Sequence, residues 1–389
     1  MEGFKFHGIA SGIKPCNQLD LGIIFSEKTA SMAAVFTKNK VIAAPVVLGK
    51  ERLKHGVCQA ILVNSGNANC FTGEQGVKDS VESARIVSNK LEIPEKLVFI
   101  ASTGVIGQPL PMEKFARGIP LLIQSIDSGN IDNFAKAILT TDTQTKKIIV
   151  KSDINGNEYT ITGIAKGSGM IKPDLATLLV FICSDIKIPS SVLQPVLEKA
   201  CDRSFNRISI DGDTSTNDTV VCLANGMSQA SIKDKVDIDK FQKNLDKVLF
   251  DLSKKIVKDG EGATKLARII VKGAQTPEDA FQTAQTIANS NLVKTALFGE
   301  DPNWGRIAAA AGRSGSKVVM EKIDLQFNDV VIVDKGQWCG KDAEDQADIV
   351  LKKDEFDITL NLNIGKYEDY FLFCDFSQLY VTINADYRS

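Results

Sequence analysis

The sequence predicts an α+β protein with extensive sheet, helices packed on that sheet, and a β-rich C-terminal part. Three stretches carry this reading. KKIIVKSDINGNEYTITGIAKG (146–167) alternates on either side of Asn155-Gly156, a pair that supplies the positive φ angles of a tight hairpin turn. GVKDSVESARIVSNKL (76–91) repeats its apolar residues at helical spacing. The C-terminal region carries a succession of alternating segments, KVVMEKIDLQF, DVVIVDKG, FDITLNLNIG, DYFLFCDF and LYVTINA, all expected as strands.

The other elements follow in chain order. QAILVNSGNANC (59–70) reads as a strand over 60–63 running into a glycine- and asparagine-rich turn, and KLVFIASTGVIG (96–107) as a strand ending in another polar glycine turn. Amphipathic helices are expected near 112–126 and 131–139, ahead of the polar TTDTQTKK. Beyond the hairpin, the apolar block 178–183 reads as a buried strand, followed by a helix opened by Pro189 and Ser190 and a long amphipathic helix over 238–257. TKLARIIVKGA is expected as a strand and TPEDAFQTAQTIANS as a helix with Pro277 in its first turn. There is no internal repeat and no low-complexity linker.

At 389 residues the chain has room for two domains. A composition of 43% apolar and 24% charged residues suits a globular protein that buries a sizeable core. The net charge of −2 argues against nucleic acid or a membrane surface as a partner. No apolar run approaches the roughly 20 residues of a spanning helix. MEGFKFHGIASGIK has no continuous hydrophobic region, so no signal peptide is expected and the expected location is the cytosol. The eight cysteines stand singly, without a Cys-x-x-Cys pair, and are expected as small buried hydrophobes. No structural metal is indicated.

The two histidines, His7 and His55, sit near the N-terminus outside any catalytic motif. Ser-His-Asp and Cys-His enzymes need an imidazole beside the nucleophile, and an H-E-x-x-H site needs two on one helix. Covalent catalysis here would therefore use a lysine or an α-amino group as base. IAKGSGMIKPDLATLLVFICSD (164–185) contains a seam at Ala176-Thr177, where a glycine-bearing polar segment meets the apolar strand. A β-branched threonine opening a strand is ordinary. It is also the arrangement for an N-terminal nucleophile: cleavage after Ala176 would free the Thr177 α-amine to act as base for its own hydroxyl.

Three polar turns follow apolar strands, at Asn64-Ser65-Gly66, Ser102-Thr103-Gly104 and Gly167-Ser168-Gly169. Strand ends of this kind gather backbone N–H groups around small ligands, although most such turns are plain turn chemistry. None is a Walker loop or a G-x-G-x-x-G fingerprint, so nucleotide binding is not supported.

KGSGMIKPDLATLLVF resembles the self-processing signature of the ornithine/glutamate N-acetyltransferase family of arginine biosynthesis. The resemblance extends in order along the chain through ASGIKPCNQLDLGII, VNSGNANCFTG, ASTGVIGQPLP, ILTTDTQTK, SFNRISIDGDTSTNDTV, KDGEGATK, KTALFGEDPNWGRIAAAAG and VTINADYRS. It implies an α/β/β/α-layered, Ntn-hydrolase-like self-processing fold. It also implies a precursor cut into an α chain (1–176) and a β chain (177–389) that assemble as α2β2. Thr177 would take acetyl from N-acetylornithine and pass it to glutamate, with Thr103 and Gly104 forming the oxyanion hole. Substrate contacts would come from Thr140 or Thr141, Lys166, Thr177, Glu261, Asn384 and Ser389. No cofactor is needed with that donor, and some members of the family also accept acetyl-CoA.

This chain departs from the family pattern around the seam. Asp174, Leu175 and Leu178 stand where Asn, Met and Met are usual, and Asp174 adds a charge three residues from the nucleophile. Lys166 and Glu261 could also be solvated surface charges, and DGDTSTND could pass for a metal loop although its spacing does not fit an EF-hand. Two other functions are compatible with the residues: an amidase- or aminopeptidase-like hydrolase on the same scaffold, and an uncut, non-catalytic protein.

Overall fold

The computed structural model describes residues 1–172 and 178–386. The described residues divide into two compact units, Met1–Asn206 with Asp213–Leu252, and Arg207–Gly212 with 253–386. The expected cut at 176/177 therefore falls inside the first unit.

The first unit contains β1 (Phe4–Ile9), β2 (Leu21–Phe36), α1 (Ala44–Leu53), β3 (Val57–Asn67), α2 (Gly73–Leu91), β4 (Val98–Val105), α3 (Met112–Gln124), α4 (Ile131–Ala137), β5 (Lys146–Ile154), β6 (Asn157–Lys166), β7 (Leu179–Ser184) and α5 (Ser190–Asp202). After β8 (Ile208–Ser209), which belongs to the second unit, it resumes with β9 (Thr219–Ala224) and most of α6 (Lys235–Lys258). Among the described residues its sheet has the order β4-β3-β2-β9-β7-β6-β5, with β1 paired to β2. The β3–β4 and β7–β9 pairs are parallel and the others antiparallel. Every residue of β7 and β9 is buried, which is why the 178–183 block is uniformly apolar and does not alternate.

Strand residues alternate between two cores. Ile24, Ile61, Val63 and Phe99 pack with Phe134 of α4 on one face. Ile23, Leu62, Val98 and Ile100 pack with Val87 of α2 and Phe115 and Ile119 of α3 on the other.

The second unit adds β10 (Leu266–Ala274), α7 (Pro277–Ala288), α8 (Asn291–Phe298), α9 (Trp304–Gly312), β11 (Asp324–Phe327), β12 (Val330–Asp334), β13 (Gln337–Trp338), α10 (Lys341–Leu351), β14 (Glu355–Asn361), β15 (Tyr367–Cys374) and α11 (Gln378–Asp386). Its sheet, among the described residues, runs β13-β12-β11-β14-β10-β15-β8. Ile269, Val271, Ile358, Leu360 and Phe371 meet Ala284, Ile287 and Ile307 of the helices in one apolar core.

The α+β reading with a strand-rich C-terminal part holds, with two corrections. LYVTINA is not a strand but lies in α11, where Thr382 Oγ1 donates to Gln378 O and Asn384 Nδ2 to Tyr380 O. Among the described residues it pairs with no strand of either sheet, and the ring of Tyr380 packs 4.3 Å from that of Phe376. In KVVMEKIDLQF only Asp324–Phe327 is strand, preceded by a 3₁₀ turn at Met320–Lys322. Six cysteines are buried as expected, while Cys16 and Cys339 are exposed. Among the described residues no helix is long and apolar enough to cross a membrane.

Candidate active site

Two of the three polar turns lie side by side. The parallel register of β3 and β4 sets Ser65 opposite Thr103 and Gly66 opposite Gly104. Gly104 has φ +132°, and a Cβ there would come within 2.4 Å of Gly66 C and 2.5 Å of Asn67 N, so backbone meets backbone and only glycine fits. Buried asparagines satisfy the polar groups that the ending strands leave unpaired. Asn64 Oδ1 accepts from Ser102 Oγ at 2.6 Å and Asn64 Nδ2 donates to Asn67 O at 2.8 Å. Asn217, on the loop before β9, donates to Ala68 O at 2.7 Å and to Ser102 O at 2.8 Å. The turn carrying Thr103 is thereby pre-organised.

Lys166 ends β6 and is only 3% exposed, so it is a buried cation and not a solvated one. Its Nζ donates to Thr140 Oγ1 at 2.9 Å and to Thr103 Oγ1 at 3.3 Å. An ammonium has no lone pair to accept with, so each hydroxyl receives here and keeps its own hydrogen to donate. Thr141 points elsewhere, its Oγ1 lying 2.6 Å from Ser168 Oγ. Of the two threonines, Thr140 is the one gathered with Lys166 and Thr103.

The counter-charge is Asp142, whose side chain is fully shielded. Oδ1 accepts from Lys146 Nζ and from Gly167 N, both at 2.7 Å, and Oδ2 lies 3.9 Å from Lys166 Nζ and accepts from Thr140 N at 3.2 Å. Burial on its own would raise the carboxyl pKa, but Lys166, Lys146 and the Gly167 amide outweigh it and take the group to about 2. A single carboxylate thus orients a lysine, a threonine and the start of the 167–169 turn. Lys14, in the N-terminal Gly-Ile-Lys segment, adds another cation: its Nζ donates to Leu139 O at 3.0 Å, and burial lowers its pKa.

In the second unit, Glu261 is buried between Gly260 and Gly262 and its Oε2 accepts from Asn384 Nδ2 of α11 at 2.8 Å. Gly262 has φ +69°, its carbonyl accepts from Ser377 Oγ at 2.6 Å, and a Cβ there would lie 2.5 Å from Tyr380 N. The loop bearing Glu261 is in this way seated on the first turn of α11. The structure thus groups Thr103, Gly104, Thr140 and Lys166 in one unit and Glu261 with Asn384 in the other.

Ala176, Thr177 and Ser389 lie outside the described residues. Leu178, the residue after Thr177, is held on both sides: its N–H donates to Asp218 Oδ1 at 2.9 Å and its carbonyl accepts from Thr219 N at 3.1 Å. Neither histidine belongs to this cluster, and His7 Nε2 lies 3.0 Å from Ser125 Oγ. Among the described residues no group of three or more His, Cys, Asp or Glu side chains is arranged to hold a metal ion. Asp142 and Lys146 carry the site's geometry without standing out in the sequence, whereas Asn217 belongs to the DGDTSTND block noted there. Asp142 and Lys146 do lie in the polar TTDTQTKK stretch, whose charges were the available signal.

The family model described as the ArgJ family matches residues 5–389. The arginine biosynthesis bifunctional protein ArgJ of Geobacter sulfurreducens is 46% identical over 391 residues, covering 100% of both chains. The glutamate N-acetyltransferase of Methanocaldococcus jannaschii is 44% identical over 399 residues, covering 100% of this chain and 97% of its own. Among solved structures, the bifunctional ArgJ of Bacillus halodurans is 39% identical with a TM-score of 0.51, covering 53% of this chain and 98% of its own. With its fold, its clustered site and relatives matched end to end, this chain belongs to the ArgJ family.

Proposed function

We propose that the chain cuts itself between Ala176 and Thr177 and then carries acetyl on Thr177 Oγ1 from N²-acetylornithine to glutamate. Acyl transfer in arginine biosynthesis is the activity of the family it belongs to. The observation that carries the reading is the buried Lys166 bonded to the Thr103 and Thr140 hydroxyls beside the Gly104 turn.

In the proposed sequence the freed α-amine takes the Thr177 hydroxyl proton as Oγ1 attacks the acetyl carbonyl. The developing oxyanion is met by the Thr103 hydroxyl, whose hydrogen Lys166 leaves available, and by the Gly104 backbone. The protonated α-amine then donates to the departing ornithine nitrogen, and the acetyl ester remains on Oγ1. Glutamate's α-amine attacks that ester by the reverse path. Lys166 pairs with the substrate α-carboxylate, with Thr140 beside it, while Glu261, braced by Asn384, pairs with the ornithine side-chain ammonium. Ser389 completes the contacts. The two products assemble as α2β2 in the cytosol.

The test is intact mass under denaturing conditions, with and without N²-acetylornithine. Two fragments, ending at Ala176 and beginning at Thr177, are expected, the second gaining one acetyl group on incubation. Thr177→Ala should remain one chain without adduct. A wild-type protein that stays whole would remove the reading, and acetate release independent of glutamate would make the enzyme a hydrolase. Glu261→Gln should raise KM for N²-acetylornithine by about tenfold or more, the worth of one charge-assisted hydrogen bond, with a smaller effect on glutamate. Half-reaction kinetics with each substrate separately would check this.

A further inference from the structure

Glutamate carries two carboxylates, and the contacts proposed above provide a partner for only one of them, the α-carboxylate at Lys166. The charge of Glu261 suits the ammonium of ornithine and opposes the γ-carboxylate of glutamate, so the acceptor calls for a second cation.

Lys14 has the position and the chemistry for that role. It lies in the loop between β1 and β2, which Asp20 fixes from within. Asp20 Oδ1 accepts from Ser11 N at 2.7 Å and from Ser11 Oγ at 2.8 Å, and Oδ2 accepts from Lys14 N at 2.9 Å. Lys114 Nζ donates to Gly12 O in the same loop. The Lys14 stem runs against the end of β3, where a Cβ on Gly66 would stand 2.8 Å from Lys14 Cγ. Gly66 is the residue paired with Gly104, so the stem lies beside the turn that carries Thr103. Its ammonium reaches Leu139 O at 3.0 Å, and the next residue, Thr140, receives Lys166 Nζ on its hydroxyl at 2.9 Å. Lys14 and Lys166 thus attach to adjacent residues of one loop.

The neighbouring carboxylates are engaged elsewhere. Both oxygens of Asp20 bond the Lys14 loop, while Asp142 serves Lys146, the Gly167 and Thr140 amides and Lys166. Among the described residues Lys14 Nζ forms no ion pair. It is half-buried and, having given one hydrogen to Leu139 O, keeps others to donate. Burial lowers its pKa; Asp20 and Asp142 oppose the shift, and the Lys166 charge adds to it. An anion set between the two ammonium groups relieves their mutual repulsion.

We propose that Lys14 selects glutamate as the acceptor by pairing with its γ-carboxylate while Lys166 holds the α-carboxylate. The inference rests on the reading of Lys166 as the α-carboxylate partner. Extended glutamate sets its two carboxylate carbons about 5 Å apart, and ammonium groups bonded to adjacent residues let one such diacid reach both. N²-acetylornithine ends its side chain in an ammonium and gains nothing from Lys14.

The test is the second half-reaction: the acetyl-enzyme formed from N²-acetylornithine is given glutamate or glutamine, which carries an amide in place of the γ-carboxylate. Wild type should favour glutamate in kcat/KM by about tenfold or more, the worth of a charge-assisted hydrogen bond. Lys14→Met keeps a stem against Gly66 and removes the charge. It should bring the two acceptors close to parity by raising KM for glutamate, while acetylation by N²-acetylornithine changes far less. Lys14→Arg should keep most of the preference. A Lys14→Met enzyme with the wild-type preference would overturn the inference, as would an equal loss in both half-reactions with that preference intact, the mark of a purely structural role. Should the methionine variant not fold, Lys14→Gln, which retains an N–H donor, is measured for the same preference and judged in the same way. A wild-type protein without glutamate-dependent deacetylation overturns the transferase reading and this inference with it, whereas a glutamate-dependent enzyme indifferent to the charge at Lys14 overturns the inference alone.

Discussion

Asp142→Asn is expected to destabilise the first unit by ~3–5 kcal/mol, the usual cost of removing one partner from a buried ion pair. Lys146 and Lys166, 1% and 3% exposed, would each lose the Asp142 carboxylate, and the asparagine amide would point N–H hydrogens at one of the two ammonium groups. Urea titration at pH 7 should show a lower midpoint. The acid limb provides an independent check. A carboxyl depressed in the folded state contributes stability that is full above its unfolded pKa of 3.8 and is lost as pH falls through its folded value of about 2. Wild type should lose ~2 kcal/mol across that window, and Asp142→Asn should lack that component. Activity should fall further than stability, because Thr140 and Lys166 are both oriented through this side chain. A variant with the wild-type midpoint and acid limb would mean that the lysines are balanced from elsewhere.

Gly104→Ala is the second large expected effect. Its Cβ would overlap the Gly66 and Asn67 backbone, which cannot rotate out of the way as a side chain can, and φ +132° is strained for any L-residue. The turn must shift, and if it holds the oxyanion as proposed, kcat should fall by about 10²–10³-fold. Self-cleavage is expected to fail along with transfer, since both pass through a tetrahedral oxyanion. Gly107→Ala is the control. It also has positive φ, +85°, but nothing lies within 4 Å of a Cβ there, so it should cost ~1 kcal/mol in strain and leave turnover intact. Steady-state kinetics of the two variants together separate local strain from loss of the oxyanion turn.

Much of the fold is readable where local and tertiary demands agree. The Asn155-Gly156 hairpin has the register its turn demands, with Ile154 opposite Asn157. β7 and β9 are buried throughout, and the uniformly apolar block at 178–183 reflects it. β2 is harder, because exposed Glu27, Lys28 and Thr29 and a register shift between Phe25 and Ala30 interrupt its alternation. LYVTINA fails for the opposite reason, since alternation is only a potential for pairing and, among the described residues, this segment belongs to neither sheet.

The candidate site divides in the same way. The Thr103-Gly104 turn and Lys166 stand out in the motifs, whereas the burial of Lys166 does not, because its counter-charge Asp142 stands 24 residues earlier in the chain and is itself held by Lys146. The choice between Thr140 and Thr141 cannot come from spacing. It depends on which hydroxyl faces Lys166 and which faces Ser168.

In the first sheet β7 and β9 lie between β2 and β6, so the segment after the proposed cut fills the middle of a surface whose two flanks come from the segment before it. Withdrawing them would split the sheet and expose two hydrogen-bonding edges at once. Were the chain cut as proposed, this sheet would hold the two segments together.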